Sequence, residues 1–441
     1  MRNMKQVKTG KPTKILDLTI VTLTICATFL LIIRTGNIKN GVIKPFDLIV
    51  TIIGIIILFY PNLIKKIEPI YKDLKFYFIS LFLIFLFIIF GQIISFFYYG
   101  NTDISTTTLL YGRLIFNNLV FFITAILIYL LPKITIKINQ SILFSPILIL
   151  PIMFDSFKNL YYNSIRLNGL SFGPNDFCGL LIIIFLIGLA SFLSVKNIFY
   201  KFIIIGWLGF IVNLIFLTGS RAGWVSFFLS IFIWICIYVF MKRKKEIFFI
   251  IIATLISVLV GFFLIPNNTK LYFIDRFLGD RFVQILNMDK NITDFVPQYK
   301  NGMISNQIRP QIWNFSLSKI EKNPLGFGFS FLNKNPTVIN GEVIGFTTNI
   351  FLEIAIYGGI GGLFIFVLFL LKLGNELRHY IKILTDFEFV WGIIIISLII
   401  DLSFIDGFLF RYLWFALGVV LGIILIKKYP KKLPDVSQKS S

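Results

Sequence analysis

Residues 177–194 read FCGLLIIIFLIGLASFLS, an apolar run without one charged side chain. As a helix it extends about 27 Å, close to the roughly 30 Å hydrocarbon core of a bilayer. Similar runs recur at about 15–33, 45–64, 75–97, 109–131, 141–157, 174–194, 198–217, 222–241, 247–265, 349–371, 388–405 and 407–426. In hydrocarbon only helices and closed barrels satisfy their own backbone, and runs of about 20 residues select helices. Composition agrees: 57% of the 441 residues are hydrophobic and 14% charged, against about 25% charge in soluble domains. A soluble globular enzyme, a disordered chain and a fibrous repeat are excluded. The expected fold is an all-α polytopic membrane protein with about twelve transmembrane helices and one long extracytoplasmic loop. Its divisions are membrane helices at 1–265, the loop at 266–347, and membrane helices with a cytoplasmic tail at 348–441.

The formal charge is +21. With the N-terminus inside, the inner segments hold clusters such as Lys65, Lys66, Lys72 and Lys75, or Lys242, Arg243, Lys244 and Lys245. The short outer segments hold scattered cations, among them Arg34, Arg113, Arg166, Arg221 and Arg411. The inner excess is about threefold, which predicts a multi-pass protein of the cell membrane with both termini cytoplasmic. The basic start, Arg2 to Lys14, looks like a signal peptide. No small-residue cleavage site follows it, so a retained first span is expected. No basic stripe interleaved with aromatics lies outside the apolar runs, which argues against nucleic acid as a partner.

The polar segment from about 266 to 347 is too long for an idle connector. Within it, Pro310 to Glu321 predicts an amphipathic helix with Trp313, Leu317 and Ile320 on one stripe, lying on the outer membrane surface. Pro310 suits the first turn, and Asn323-Pro324 ends the helix.

Several polar constellations interrupt the apolar pattern, all on the expected outer face. They are Arg166-Leu-Asn-Gly169 with Pro174-Asn175-Asp176, Gly219-Ser220-Arg221, Arg309 with Trp313, and Thr347-Thr348-Asn349 with Glu353. The runs opening at 174, 222 and 349 point their helix N-termini outward, where free N–H groups and positive dipole ends suit a phosphate. Arg166, Arg221 and Arg309 add bidentate donors, so a lipid diphosphate is the natural ligand. Each arginine also has an ordinary reading as an interfacial anchor. That reading is weakest for Arg221, because a Ser-Arg pair between two long apolar runs is expensive unless partnered. Pro174-Asn175-Asp176 also reads as a simple helix cap, and Gly326 and Gly328 read as turn residues rather than a phosphate cradle.

Other chemistries find no support. There is no phosphate-binding Gly-x-x-x-x-Gly-Lys-Ser/Thr, no Asp-x-Asp pair and no His/Cys cluster, so no metal and no cofactor are expected. His379 falls in an inner loop with Arg378 and Lys382 and reads as a surface residue. Cys26, Cys178 and Cys236 read as small buried hydrophobes.

At these residues the chain resembles the O-antigen ligase/polymerase superfamily, membrane proteins that handle undecaprenyl-diphosphate-linked glycans. The likeness runs over about 160–370. It is carried by Arg166-x-x-Gly169 with Pro174-Asn175, Ser220-Arg221-Ala222 and Arg309-x-x-x-Trp313, then by Asn323-Pro324-Leu325-Gly326-x-Gly328 and Asn349-x-x-Leu352-Glu353 with Tyr357-Gly358-Gly359-Ile360-Gly361-Gly362. The resemblance implies a metal-independent, inverting glycosyltransferase at the outer face. In it Arg221 and Arg309 hold and stabilise the donor diphosphate, with Arg166, Asn175, Ser220, Trp313, Thr348 and Asn349 around the substrate. Family ligases usually carry His just before the Asn at 349, and here that residue is Thr348. A hydroxyl cannot replace imidazole as a base near neutral pH, which favours the Wzy-like polymerase branch that builds O-antigen, capsule or exopolysaccharide. The base is left open among Glu353, Glu342 and Asp176, each also readable as a cap or solvated carboxylate. The substrate is then an undecaprenyl-diphosphate-linked oligosaccharide met within membrane lipid, with a flippase and a chain-length regulator as protein partners. A ligase of the same superfamily and a flippase of lipid-linked saccharides are the competing readings.

Overall fold

The structure, a computed structural model, describes residues 10–32, 45–60, 62–99, 104–149, 167, 174–265, 297–329, 337–339, 342–344, 349–404 and 410–430. Its longer helices are α1 (Gly10–Ile32), α2 (Pro45–Leu58), α3 (Tyr71–Tyr99), α4 (Ile104–Leu130), α5 (Ile134–Ile149), α6 (Pro174–Ser194) and α7 (Ile198–Thr218). They continue as α8 (Arg221–Phe240), α9 (Lys244–Phe263), α10 (Pro297–Lys322), α11 (Ile350–Tyr380), α12 (Asp386–Leu402) and α13 (Arg411–Lys428). A short antiparallel hairpin pairs β1 (Thr337–Ile339) with β2 (Glu342–Ile344). Among the described residues, 7 helices are long and apolar enough to cross a membrane, those containing α3, α4, α6, α7, α8, α9 and α11. The chain is a multi-pass membrane protein.

Burial sorts the helices. In α6, 89% of the apolar window is buried, against 22% in α9, so α6 is central and α9 peripheral. α13 is enclosed too, with every residue from Tyr412 to Leu425 buried. It lies close to α4 because Gly418 and Gly422 stand one turn apart on its contact face. A Cβ at Gly418 would meet the Phe121 carbonyl oxygen at 2.6 Å, and one at Gly422 would meet Ile128 Cβ at 2.7 Å. Where lipid supplies no hydrophobic drive between helices, such close backbone approach supplies the packing. Tyr77 and Phe121 then pack on Phe369 with ring centroids 5.3 and 5.5 Å away, tying α3 and α4 to α11. Phe78, Phe82, Phe232 and Phe263 remain exposed, as befits faces turned to hydrocarbon.

Some expectations need correction. The fifth span was expected over 141–157, yet α5 begins at Ile134. Ile134, Ile138 and Ile142 are buried at helical spacing, a periodicity that Lys137, Asn139 and Gln140 hide from average hydropathy. Pro310 does not open a helix but sits inside α10, where it forgoes one backbone hydrogen bond. The buried stripe of α10 is Ile312, Ser316 and Ile320, and Leu317 is exposed. Ser316 can be buried because its hydroxyl donates to the Ile312 carbonyl at 2.8 Å. α10 does not lie alone on a surface; Ile320 and Phe327 form a small apolar cluster with Ala355 and Ile356 of α11. Cys26 is exposed rather than buried. His379 belongs to the last turn of α11, not to a loop.

Candidate functional site

The turn between α7 and α8 sets Arg221. Gly219 takes a left-handed conformation (φ 57°), which ends α7 with its N–H on the Phe216 carbonyl. Ser220 is extended and fully buried, and its hydroxyl accepts from the Gly223 N–H at 3.1 Å, capping α8. Arg221 is therefore the first residue of α8 and half-buried. A cation there adds to the positive dipole end instead of opposing it, a disadvantage of about 0.3–1 kcal/mol. An anion at this place would offset both.

Neighbouring helix ends close around this turn. Gly223 lets α8 rest against Cys178 of α6, whose Cβ and Sγ occupy the space a side chain would need. Asn175 is half-buried in the first turn of the same α6. Leu167, fully buried, donates its N–H to the Leu217 carbonyl at 2.9 Å, beside the turn. Below, the Ser226 hydroxyl donates to the Ser397 carbonyl at 2.8 Å, binding α8 to the C-terminal half of α12.

α12 brings an acid that the sequence reading passed over. Asp401 is 1% exposed, and a Cβ on Gly179 would stand 2.7 Å from its Oδ2. One charge within WGIIIISLIIDL was a legible signal, since an ionisable group in an apolar span is usually functional. Just beyond it, the Ser403 carbonyl accepts from Asn349 Nδ2 at 2.8 Å. Asn349 Oδ1 accepts from the Phe351 and Leu352 N–H groups at 2.9 and 3.1 Å, so this side chain caps α11 and fastens it to α12. Glu353, 5% exposed, lies in the first turn of α11, where a carboxylate complements the dipole.

Arg309 and Trp313 are four residues apart on α10, hence neighbours on one face, and both are half-buried. The seat of α10 is a break in α11. Gly359 has φ 67° and ψ −175°, so the helix is interrupted there. The Ile356 and Tyr357 carbonyls accept instead from the Phe327 and Gly328 N–H groups, at 2.7 and 2.9 Å. The Ile360 N–H donates to the Pro324 carbonyl at 2.8 Å. Gly326 (φ 90°) and Gly328 (φ 69°) allow this approach, and Gly91 of α3 lies against the same backbone. The Asn323–Gly328 and Tyr357–Gly362 motifs are thus one joint, which satisfies backbone groups that hydrocarbon would leave stranded.

Arg166, Thr348 and the side chains of Asp176 and Glu342 lie outside the described residues; the backbone of Glu342 belongs to β2. Among the described residues, no His, Cys, Asp and Glu side chains gather in a group that could hold a metal ion.

Residues 205–367 match the family model described as O-antigen ligase. That match supports the resemblance of this stretch to the O-antigen ligase/polymerase superfamily. No curated protein matches it. Members of this superfamily are glycosyl-transferring enzymes acting on lipid-linked glycans. The matched stretch opens inside α7 and closes inside α11, and holds Arg221, Arg309, Trp313, Asn349, Glu353 and both halves of the joint. Asn175 and Asp401 lie outside it.

Proposed function

We propose that the chain is a polysaccharide polymerase working at the outer face of the cytoplasmic membrane. It joins undecaprenyl-diphosphate-linked repeat units of an O-antigen, capsule or exopolysaccharide. The topology belongs to this reading: about twelve spans, both termini cytoplasmic and the loop at 266–347 outside. The observation that carries it is the setting of Arg221, half-buried at a helix N-terminus beside the start of α6. Positive dipole ends and arginine together suit a diphosphate at the membrane surface.

In the reaction, an acceptor sugar hydroxyl attacks the anomeric carbon of the donor glycan. The bond from that carbon to the diphosphate oxygen breaks, and the lipid diphosphate leaves with the electron pair. Arg221 and Arg309 meet the charge growing on the leaving oxygens, so no metal is required. The hydroxyl proton passes to a carboxylate, for which Glu353 is the first candidate and Glu342, Asp176 and the buried Asp401 are the others. Ser220 and Asn349 cap helices and shape the site; Asn175, Trp313 and Thr348 contact the sugars and Arg166 the phosphate. A flippase supplies the repeat units and a chain-length regulator limits the product.

Thr348 favours polymerase over ligase, since the ligase branch relies on imidazole at that position. The break in α11 gives the flippase reading its one point, because transporters use interrupted helices to expose carbonyls. Here Phe327 and Gly328 already occupy those carbonyls. Deleting the gene and analysing the surface glycan tests the choice. Single capped repeat units support the polymerase. Full-length chains stranded on the carrier lipid support the ligase, and loss of all outward repeat units supports the flippase.

A further inference from the structure

Far from the site, at the other end of α11, lies a groove of about 250 Å³. Leu370, Leu373 and Gly374 of α11 and Gly392 and Ile396 of α12 form its apolar walls, and Arg378 is its charged end. A Cβ at Gly374 would meet nothing within 4 Å, so this glycine holds the groove open. By contrast, a Cβ at Gly392 would touch Leu377 Cδ2 at 2.7 Å, where the two helices close together. Leu368 and Leu371, on the same helix, are exposed like the lipid-facing side chains elsewhere. The groove therefore opens to hydrocarbon.

From Leu370 to Arg378 the helix rises about 12 Å, a little less than the roughly 15 Å of one leaflet's hydrocarbon. Among the described residues Arg378 is exposed and has no ion pair, whereas Lys372 pairs with Glu376, Arg243 with Asp386 and Lys427 with Glu388. An apolar channel one leaflet deep that ends at a guanidinium is complementary to an acyl chain joined to a phosphate.

We infer that this groove is a binding site for one anionic phospholipid, its acyl chain along Leu370–Gly374 and its phosphate on Arg378. The site stands apart from the glycosyl-transfer reading, and neither depends on the other. Purified protein, stripped of lipid in detergent, is titrated with phosphatidylglycerol or phosphatidylcholine of the same chains and followed by native mass spectrometry. Wild type should retain one phosphatidylglycerol about tenfold or more tightly than phosphatidylcholine. Arg378→Gln should erase that preference, and Gly374→Phe should remove the tight adduct. Lys196→Gln, a cation away from the groove, should behave as wild type, and unchanged thermal transitions should show that the variants fold. If Arg378→Gln holds phosphatidylglycerol as tightly as wild type, or wild type takes both lipids equally, the proposal is overturned. A lipid-free wild type that runs as a dimer overturns it as well.

Discussion

Asn349, at the start of α11, donates from Nδ2 to the Ser403 carbonyl at the end of α12, 2.8 Å away. The same side chain caps its own helix through Oδ1. Asn349→Ala should lose both, about 1 kcal/mol for the cap and about 1 kcal/mol for the bridge. Asn349→Ser keeps a capping oxygen but is too short to reach Ser403, so its thermal transition should fall midway between wild type and the alanine variant.

Gly359→Ala and Gly326→Ala should each destabilise by about 2–5 kcal/mol, from the left-handed backbone and from overpacking. A Cβ on either would strike the other's segment: Gly359 against Pro324 and Leu325, Gly326 against the Gly359 N–H and the Tyr357 carbonyl. Both changes open one joint. The double variant should therefore cost clearly less than the sum in thermal unfolding.

A third contrast concerns helix glycines. Gly206 has open space around its Cβ position, so Gly206→Ala should leave the melting temperature unchanged or raise it, by up to about 1 kcal/mol of helix propensity. Gly418→Leu should abolish a folded peak in size-exclusion chromatography. Its side chain would meet the Phe121 backbone, which cannot yield.

The apolar runs were legible because membrane depth sets helix length, and α6, α7, α8 and α9 open within a few residues of where the hydropathy places them. α5 was misplaced because Lys137 and Gln140 face outward between the buried Ile134, Ile138 and Ile142, a mixture that averages to neutral. The glycines of 326–328 and 358–362 stood out as motifs, but their mutual docking depends on two segments about 30 residues apart choosing each other, which no local pattern encodes. Ser220 and Asn349 attracted attention as polar residues beside apolar runs. Their capping roles follow from the same chemistry that made them resemble ligand groups. Asp401 was overlooked because one acid barely lowers the hydropathy of its run.

Asp401→Asn keeps the shape of the buried side chain and removes its charge. Asp401 is one of the candidate bases, so its loss should lower surface polymer about tenfold or more with protein abundance unchanged. Gly179→Ala, which presses on Asp401 Oδ2 from 2.7 Å, should reduce polymer in the same direction but less. The glycan ladder on a gel reads both.

The most direct measurement mixes purified protein with lipid-diphosphate-linked repeat units and follows chain growth. Wild type should yield a ladder of polymer. Arg221→Ala and Arg309→Ala should each yield none while remaining folded, and Arg221→Lys and Arg309→Lys should recover little, because an ammonium lacks the planar fork that grips a diphosphate. Ladders of wild-type length from both alanine variants would contradict the account.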